Sequence, residues 1–213
     1  MKVAVVLFHK NIHRYPEQWV QQCVDSIKAQ TYKDFQVFEL DYGAGMNQVY
    51  KGSQSLNIVM NNHAEALNYL LEYVFSLGYD CAFNVNIDDY YAPDRFARQI
   101  KYIVQGYDIV SSNFHIVNEN NEIIHSQQMH DRDMREEAAK GTNIIAHPVI
   151  CYSKNFKGKL IPEQIPSDDF ELWKRCYGEN QYKFIILPEY LLYYRSHELK
   201  VSWRNYTNKL SDF

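Results

Sequence analysis

The stretch Tyr79-Asp80-Cys81-Ala82-Phe83-Asn84-Val85-Asn86-Ile87-Asp88-Asp89-Tyr90-Tyr91-Ala92-Pro93 decides how this chain is read. It opens as a short, largely apolar run with strand character, ends in the adjacent carboxylates of Asp88 and Asp89, and meets a proline that can begin a helix. In an open α/β sheet, ligands bind outside the carboxyl ends of the strands. Two acids there are costly to desolvate unless something positive sits on them. A divalent cation bridging a diphosphate meets that need, because hard cations take carboxylate and phosphate oxygens. A plainer alternative is that the acids cap the helix starting at Pro93, as acids near helix N-termini commonly do. The pair alone is weak evidence and leaves both alternatives open.

Upstream of this stretch the pattern is that of a parallel sheet. Val3-Ala4-Val5-Val6-Leu7-Phe8 is a continuous apolar run, suited to a strand buried on both faces. After the polar His9-Lys10-Asn11, Pro16 stands at a plausible helix start, and Val20, Cys23, Val24 and Ile27 recur at helical spacing over 16–30. Phe35 to Leu40 reads as a second strand ending in Asp41 and the turn Tyr42-Gly43-Ala44-Gly45, which completes a βαβ unit. Asn57 to Met60 reads as a weak third strand. Asn62 and Glu65 resemble a capping box ahead of the stripe Leu67, Leu70, Leu71 and Val74, predicting a helix over 63–77.

Downstream, Phe96, Ile100 and Ile103 mark a helix over 93–105, and Asp108 to Asn113 a further strand. Phe114–Val117 and Glu122–Ile124, joined by Asn118-Glu119-Asn120-Asn121, read as a hairpin. From Gln127 to Gly141 the chain turns polar and charged, consistent with a surface helix or a flap. Asn143 to Tyr152 regains strand character, and Pro166-Ser167-Asp168-Asp169 begins a helix with Leu172 and Cys176 on its inner face. Lys183–Leu187 and Tyr190–Tyr194 read as two short strands, and Trp203–Phe213 as a helix that stops without a terminator, as in a domain cut from a longer protein.

Composition narrows the classes. The 213 residues suit one domain, with 46% hydrophobic and 23% charged residues, so the chain is globular rather than disordered. A net charge of −4 argues against a general nucleic-acid binder. No apolar run reaches membrane-spanning length, and Met1-Lys2 leads straight into a strand rather than a signal peptide. Cys23, Cys81, Cys151 and Cys176 lie apart inside apolar segments, so they read as buried free thiols in a reducing, cytoplasmic setting. Eighteen tyrosines suit polar ligand surfaces as well as cores.

Four polar spots fall at predicted carboxyl ends of strands or at loop exits: His9-Lys10-Asn11, Asp41, Asp88-Asp89 and Asp168-Asp169. Their convergence is what a nucleotide-plus-metal site requires. The last pair has its own plain alternative, since acids in the first turn of a helix are favoured by the dipole whatever the function. Trp173 reads as core or as a platform for a sugar, and His125, His130 and His147 lack metal-ligand spacing and are taken as structural.

Taken in order, several blocks resemble the inverting family 2 glycosyltransferases of the GT-A fold. Ser26-Ile27 with Gln30-Thr31-Tyr32-Lys33-Asp34-Phe35 is similar to the family's "S-I-x-x-Q-T-y-x-d-f" segment, and Asp41-Tyr42-Gly43 to its "D-D-G-S". Ala64, Ala66 and Asn68 resemble the "A-R-N" helix, and Asn86-Ile87-Asp88-Asp89 the "D-x-D-D" metal motif. Ser167-Asp168-Asp169-Phe170-Glu171-Leu172-Trp173-Lys174-Arg175 resembles "E-D-y-e-L-w-x-R", and Tyr194-Arg195-Ser196-His197 the closing "Y-R-x-H".

The resemblance implies an α/β fold, a mostly parallel central sheet flanked by helices with a small additional β-hairpin, as a single domain over 1–213. Residues 1–112 would form the nucleotide-binding half and 113–213 the acceptor-binding half. It implies metal-dependent, inverting transfer of a hexose from a nucleotide-diphosphate sugar, foremost a UDP-sugar, to a glycan or glycoprotein. Phe8, His9, Asp41, Asn68, Asn86, Asp88 and Arg195 would bind the nucleotide sugar. Asp88, Asp89 and His197 would hold Mn²⁺ or Mg²⁺. Asp169, with Asp168 beside it, would be the general base, and Trp173 would meet the acceptor. In length and lack of an anchor the chain is also similar to soluble domains of the kind found in large chlorella viruses that glycosylate their own capsid protein, which would place it in a host cytoplasm.

The chain departs from the family pattern around the nucleotide. Asn86 stands for the first acid of the metal motif, Ala44 for Ser or Asp, Leu67 for Arg, and Phe8-His9-Lys10-Asn11 for "P-t-y-N". Asp168 replaces the usual glutamate, which leaves the choice of base between the two acids open. Two other classes remain: a sugar nucleotidyltransferase, against which the absence of a Gly-rich basic loop after the first strand counts, and a non-catalytic sugar- or nucleotide-binding module, which Asn86 keeps alive.

Overall fold

The structure, a computed structural model, describes residues 1–43, 45–130, 132–143, 145–162, 168–178 and 182–198; of 134, 135, 138, 168 and 177 it describes the backbone alone. Ala44, Ser167 and the helix expected over Trp203–Phe213 lie outside the described residues.

Strand β1 (Val3–His9) is the axis of the fold, because both of its faces are apolar. Val3, Val5 and Leu7 point into one core with Cys23 and Ile27 of α1 (Glu17–Lys28) and Phe96, Ile100 and Ile103 of α3 (Arg95–Val104). Ala4 and Val6 point into the other, with Leu67, Leu70 and Val74 of α2 (His63–Ser76) and Leu172, Trp173 and Cys176 of α5 (Asp168–Gly178). The strand's two-residue period thus places a helical layer on each side of the sheet, as a buried parallel strand requires. Helix α2 starts where the sequence places it: the Asn62 side chain accepts from the Glu65 N–H at 3.0 Å, while Glu65 reaches back to the Asn61 N–H at 3.1 Å.

Among the described residues the strands form one nine-stranded sheet in the order β3-β2-β1-β4-β8-β6-β9-β5, with β7 alongside β6. Strands β2 (Gln36–Asp41), β3 (Gln54–Asn57) and β4 (Cys81–Asn86) pair in parallel around β1, so the expected parallel sheet holds for the first half. Beyond β4 the sheet is mixed. Strand β8 (Cys151–Ser153) runs antiparallel to both β4 and β6 (Ile109–Val117), and β5 (Tyr90–Tyr91) antiparallel to β9 (Phe184–Arg195). The hairpin of β6 with β7 (Ile123–Gln127) is present as expected.

Several boundaries differ from the sequence reading for local reasons. The weak strand lies at Gln54–Asn57 rather than Asn57–Met60; as an edge strand it carries little apolar pattern to mark it. The strand expected over Asn143–Tyr152 shrinks to β8, because Pro148 lacks an N–H for the ladder and residues His147–Val149 form a 3₁₀ turn instead. The two short strands expected over 183–194 are one strand, β9, whose register on β6 shifts around Asn113 opposite Pro188. Asn113 spans that irregularity by donating from Nδ2 to the Pro188 carbonyl at 2.8 Å. Within the polar stretch, α4 (Met134–Ala139) is a short helix.

Candidate active site

The sheet register brings three strand ends to one rim. His9 pairs with Asp41 across β1 and β2, and Phe8 pairs with Asn86 across β1 and β4. The parallel direction of these strands makes it the carboxyl rim, where a ligand is expected. Phe8 is half-buried there, its ring 6.4 Å from that of Tyr42.

Beyond β4 the chain makes a tight turn, with the Asp89 N–H donating to the Asn86 carbonyl at 3.3 Å. The acids of this turn do not cap α3, which begins at Arg95 behind Asp94 and is separated from them by β5. They meet the end of β9 instead. Asp88 Oδ2 and His197 Nε2 lie 2.8 Å apart, both residues buried and 109 positions apart in the sequence. The His197 ring is packed by Trp19 at 4.9 Å between centroids, and its Nδ1 is buried without a partner. Asp89 faces the strand itself, with Oδ1 accepting the Arg195 backbone N–H at 2.9 Å. Asp88 and His197 therefore come together as expected, and no group of three His, Cys, Asp or Glu side chains suited to a metal occurs among the described residues.

Arg195, expected to steady phosphates, is committed to partners within the protein. It is fully buried, and its guanidinium donates to the Asp88 carbonyl at 3.1 Å, to Asn121 Oδ1 at 2.8 Å and to Gln22 Oε1 at 2.6 Å. Its cationic carbon stands 4.9 Å over the Trp19 ring. Burial lowers its pKa, opposed by Tyr90, Asp89 and Asp88. The residue fastens α1, the β6–β7 loop and the Asp88 turn to the end of β9.

A second pair of carboxylates shapes the loop between β2 and β3. Asp41 accepts the Gly43 N–H on Oδ1 at 3.0 Å, and both the backbone and side-chain amides of Asn47 on Oδ2 at 3.1 Å. Burial raises its pKa, but the bonds from Asn47 and Gly43 outweigh it and the net shift is downward. Both oxygens of the expected base-binding acid thus hold the loop. Glu39, which the sequence reading passed over, is fully buried and accepts from the Val49 and Tyr50 N–H groups and the Ser53 hydroxyl at 2.6, 3.1 and 2.8 Å. His9 Nε2 lies 3.0 Å from the same carboxylate, and the ring is sealed from solvent, so His9 supports the rim from beneath rather than facing a ligand. An acid inside the apolar run Val37-Phe38-Glu39-Leu40 was the signal for Glu39.

On the other side of the sheet, Asp169 stands half-exposed in the first turn of α5, and its Oδ2 accepts from Asn143 Nδ2 at 2.9 Å. The Asp168 side chain lies outside the description. His147 lies within reach of the Asp169 charge, and its carbonyl accepts from Asn84 Nδ2 of β4 at 2.9 Å, which ties this region to the strand that ends in the Asp88 turn. Burial pushes the His147 pKa down to about 4, against the pull of Asp169. Trp173 is 1% exposed and packs in the core beside His147 and Phe184, so it offers an acceptor no surface. Asn68 is likewise committed: its amide donates to the Leu160 carbonyl at 2.8 Å and accepts the Leu160 N–H at 2.9 Å, clamping α2 to that segment.

The model of the family described as "Glycosyl transferase family 2" matches residues 4–160. The chain is 26% identical to O-antigen biosynthesis glycosyltransferase WbnJ of Escherichia coli, over 87% of the chain and 77% of that protein. It is 27% identical to the uncharacterized glycosyltransferase MJ1057 of Methanocaldococcus jannaschii, over 84% of the chain and 67% of that protein. In structure it is similar to S. aureus TarS 1-349 in complex with UDP, with a TM-score of 0.66 at 15% identity over 92% of the chain. The chain spans 61% of that structure, and at this identity the likeness is one of fold. These relatives are bacterial and archaeal, and nothing in them supports the viral association. No described helix is long and apolar enough to cross a membrane.

Proposed function

The chain belongs to glycosyl transferase family 2, and from that membership we propose that it moves a hexose from a UDP-sugar to a hydroxyl of a glycan or glycoprotein with inversion at the anomeric carbon. The observation that carries the reading is the Asp88–His197 contact, which joins two distant family motifs at the carboxyl rim. The UDP seen with TarS supports the choice of donor nucleotide by likeness of fold.

A divalent cation fits this pair. A carboxylate oxygen and an imidazole nitrogen at 2.8 Å are donors that Mn²⁺ accepts, and two protein ligands suffice where phosphate oxygens and water complete the shell. Asp88 and His197 would hold it, and when bound it would supply Lewis-acid stabilisation of the departing diphosphate. Asp89 is a support in this reading, since it is turned to β9. Phe8, Asn86 and the loop pinned by Asp41 would border the nucleotide. Asp169 would act as general base: it takes the proton of the acceptor hydroxyl as that oxygen attacks the anomeric carbon and the bond to phosphate breaks. A donor half over 1–112 and an acceptor half over 113–213 would be a division of function and not of folding units, since the described strands of both belong to one sheet. Free, buried Cys23, Cys81, Cys151 and Cys176 support a reducing, cytoplasmic setting.

The test is release of UDP from UDP-glucose, UDP-galactose and the UDP-N-acetylhexosamines, with and without Mn²⁺, for the native protein and for His197→Gln. The reading expects metal-dependent release from one donor and its loss in the variant. Stabilisation by UDP with no release from any donor would leave a binding module, the alternative that Asn86 keeps alive. Neither release nor stabilisation would overturn the transferase reading.

A further inference from the structure

We propose that Asn143 is a positioning residue for the base, holding the Asp169 carboxylate in one orientation with its side-chain amide. The inference rests on the reading of Asp169 as the general base and adds to it a residue from the segment that follows α4.

The amide is itself held. Asn143 Oδ1 accepts the Ile145 N–H at 3.1 Å while Nδ2 donates to Asp169 Oδ2 at 2.9 Å, so a flip of the amide would lose both bonds. The same segment continues into the His147 turn, whose carbonyl is anchored by Asn84 of β4 at 2.9 Å. Hydrogen bonds thus hold both ends of this segment, Asn84 of β4 at the His147 carbonyl and the Ile145 N–H at Asn143. A base acts only when its oxygen faces the proton it removes, and a tether of this kind fixes the carboxylate's rotation before the acceptor arrives.

Several titratable groups described near Asp169 come from other elements. His147 comes from the 3₁₀ turn, Tyr152 from β8, and His63 from the start of α2 beyond His147. Burial keeps His147 and Tyr152 neutral near pH 7, with His147 titrating at about 4. A neutral N–H donor orients the carboxylate without setting a full cation against it.

The experiment measures UDP release, across pH 5–9, from whichever of the four panel donors the native protein turns over, for Asn143→Ala, Asn143→Asp and Asp169→Asn. Losing a donor to the charged form should lower kcat about tenfold in Asn143→Ala, with the donor KM unchanged. In Asn143→Asp, where a second carboxylate faces the first, kcat should fall further, again with the donor KM unchanged. Melting temperatures show that the variants are folded, and the near-isosteric Asp variant carries the test if the Ala variant does not fold. Profiles that superimpose on the native one, with Asp169→Asn inactive, would overturn the positioning role and leave the base assignment standing. An Asp169→Asn variant with native rate would overturn the base assignment itself.

Discussion

Glu39 shows what a single buried acid can organise. Its carboxylate accepts from two backbone amides and a hydroxyl of the β2–β3 loop and lies against His9. Removing it would strand several donors at once, and a hydrogen bond to a charged group is worth about 1.5–3 kcal/mol. Val49 and Tyr50 are only half-buried, so water can replace part of what is lost. Glu39→Ala should therefore cost about 3 kcal/mol in urea unfolding, and should weaken UDP binding because the loop beside the rim loosens. Native stability in the variant would mean that the loop holds itself. The role of Glu39 was only half legible in the sequence. A charged residue inside an apolar strand signals a buried partner, but the partners here are backbone N–H groups, which every residue carries and no sequence pattern marks.

At the scale of elements, Arg195 joins the end of β9 to the Asp88 turn, the β6–β7 loop and α1. Its planar fork reaches three directions at once, which a lysine ammonium on a flexible stem cannot copy. Arg195→Lys should lose about 3 kcal/mol of stability despite keeping the charge, because buried acceptors lose their donors. Comparing its denaturation midpoint with that of Arg195→Met separates the charge from the geometry: if Lys restores what Met loses, the fork does not matter. The elements themselves were the most legible part of the chain, since β1, α1, β2, α2, β4 and α3 each carry a full apolar stripe or run. Edge strand β3 and short strand β8 were misplaced where burial is slight or Pro148 intervenes. The motif Tyr194-Arg195-Ser196-His197 was found by resemblance, yet only the three-dimensional packing separates the roles of its members. Of its two basic side chains, His197 pairs with the acid at the rim and Arg195 turns into the protein.

For the whole molecule, the same buried groups set how stability responds to acid, and the signs can be worked through. His147 titrates at about 4 in the folded chain against 6.5 as its ordinary value, so the unfolded chain binds this proton first. Stability from this residue is intact above pH 6.5 and is lost as pH falls from there toward 4. As a whole residue His147 is only half-buried, which reduces the effect to about 2 kcal/mol. Glu39 and Asp41 are held below their ordinary values of 4.5 and 3.8 by their hydrogen bonds, so their contributions are present above those values and are lost as pH falls through the lower folded ones. Acid loss should therefore come in two stages, a gentle one from pH 6.5 to 4 and a steeper one below. Over the upper stage the melting temperature should drop by about 4–8 °C for a chain of this size. His147→Gln should flatten that upper stage and leave the lower one in place, whatever its effect on stability at neutral pH. Melting curves of the two proteins with parallel slopes between pH 6.5 and 4 would show that His147 takes up its proton as readily folded as unfolded. The turn behind Asp169 would then be open to water, and the dry, neutral surroundings on which the positioning of the base depends would be absent.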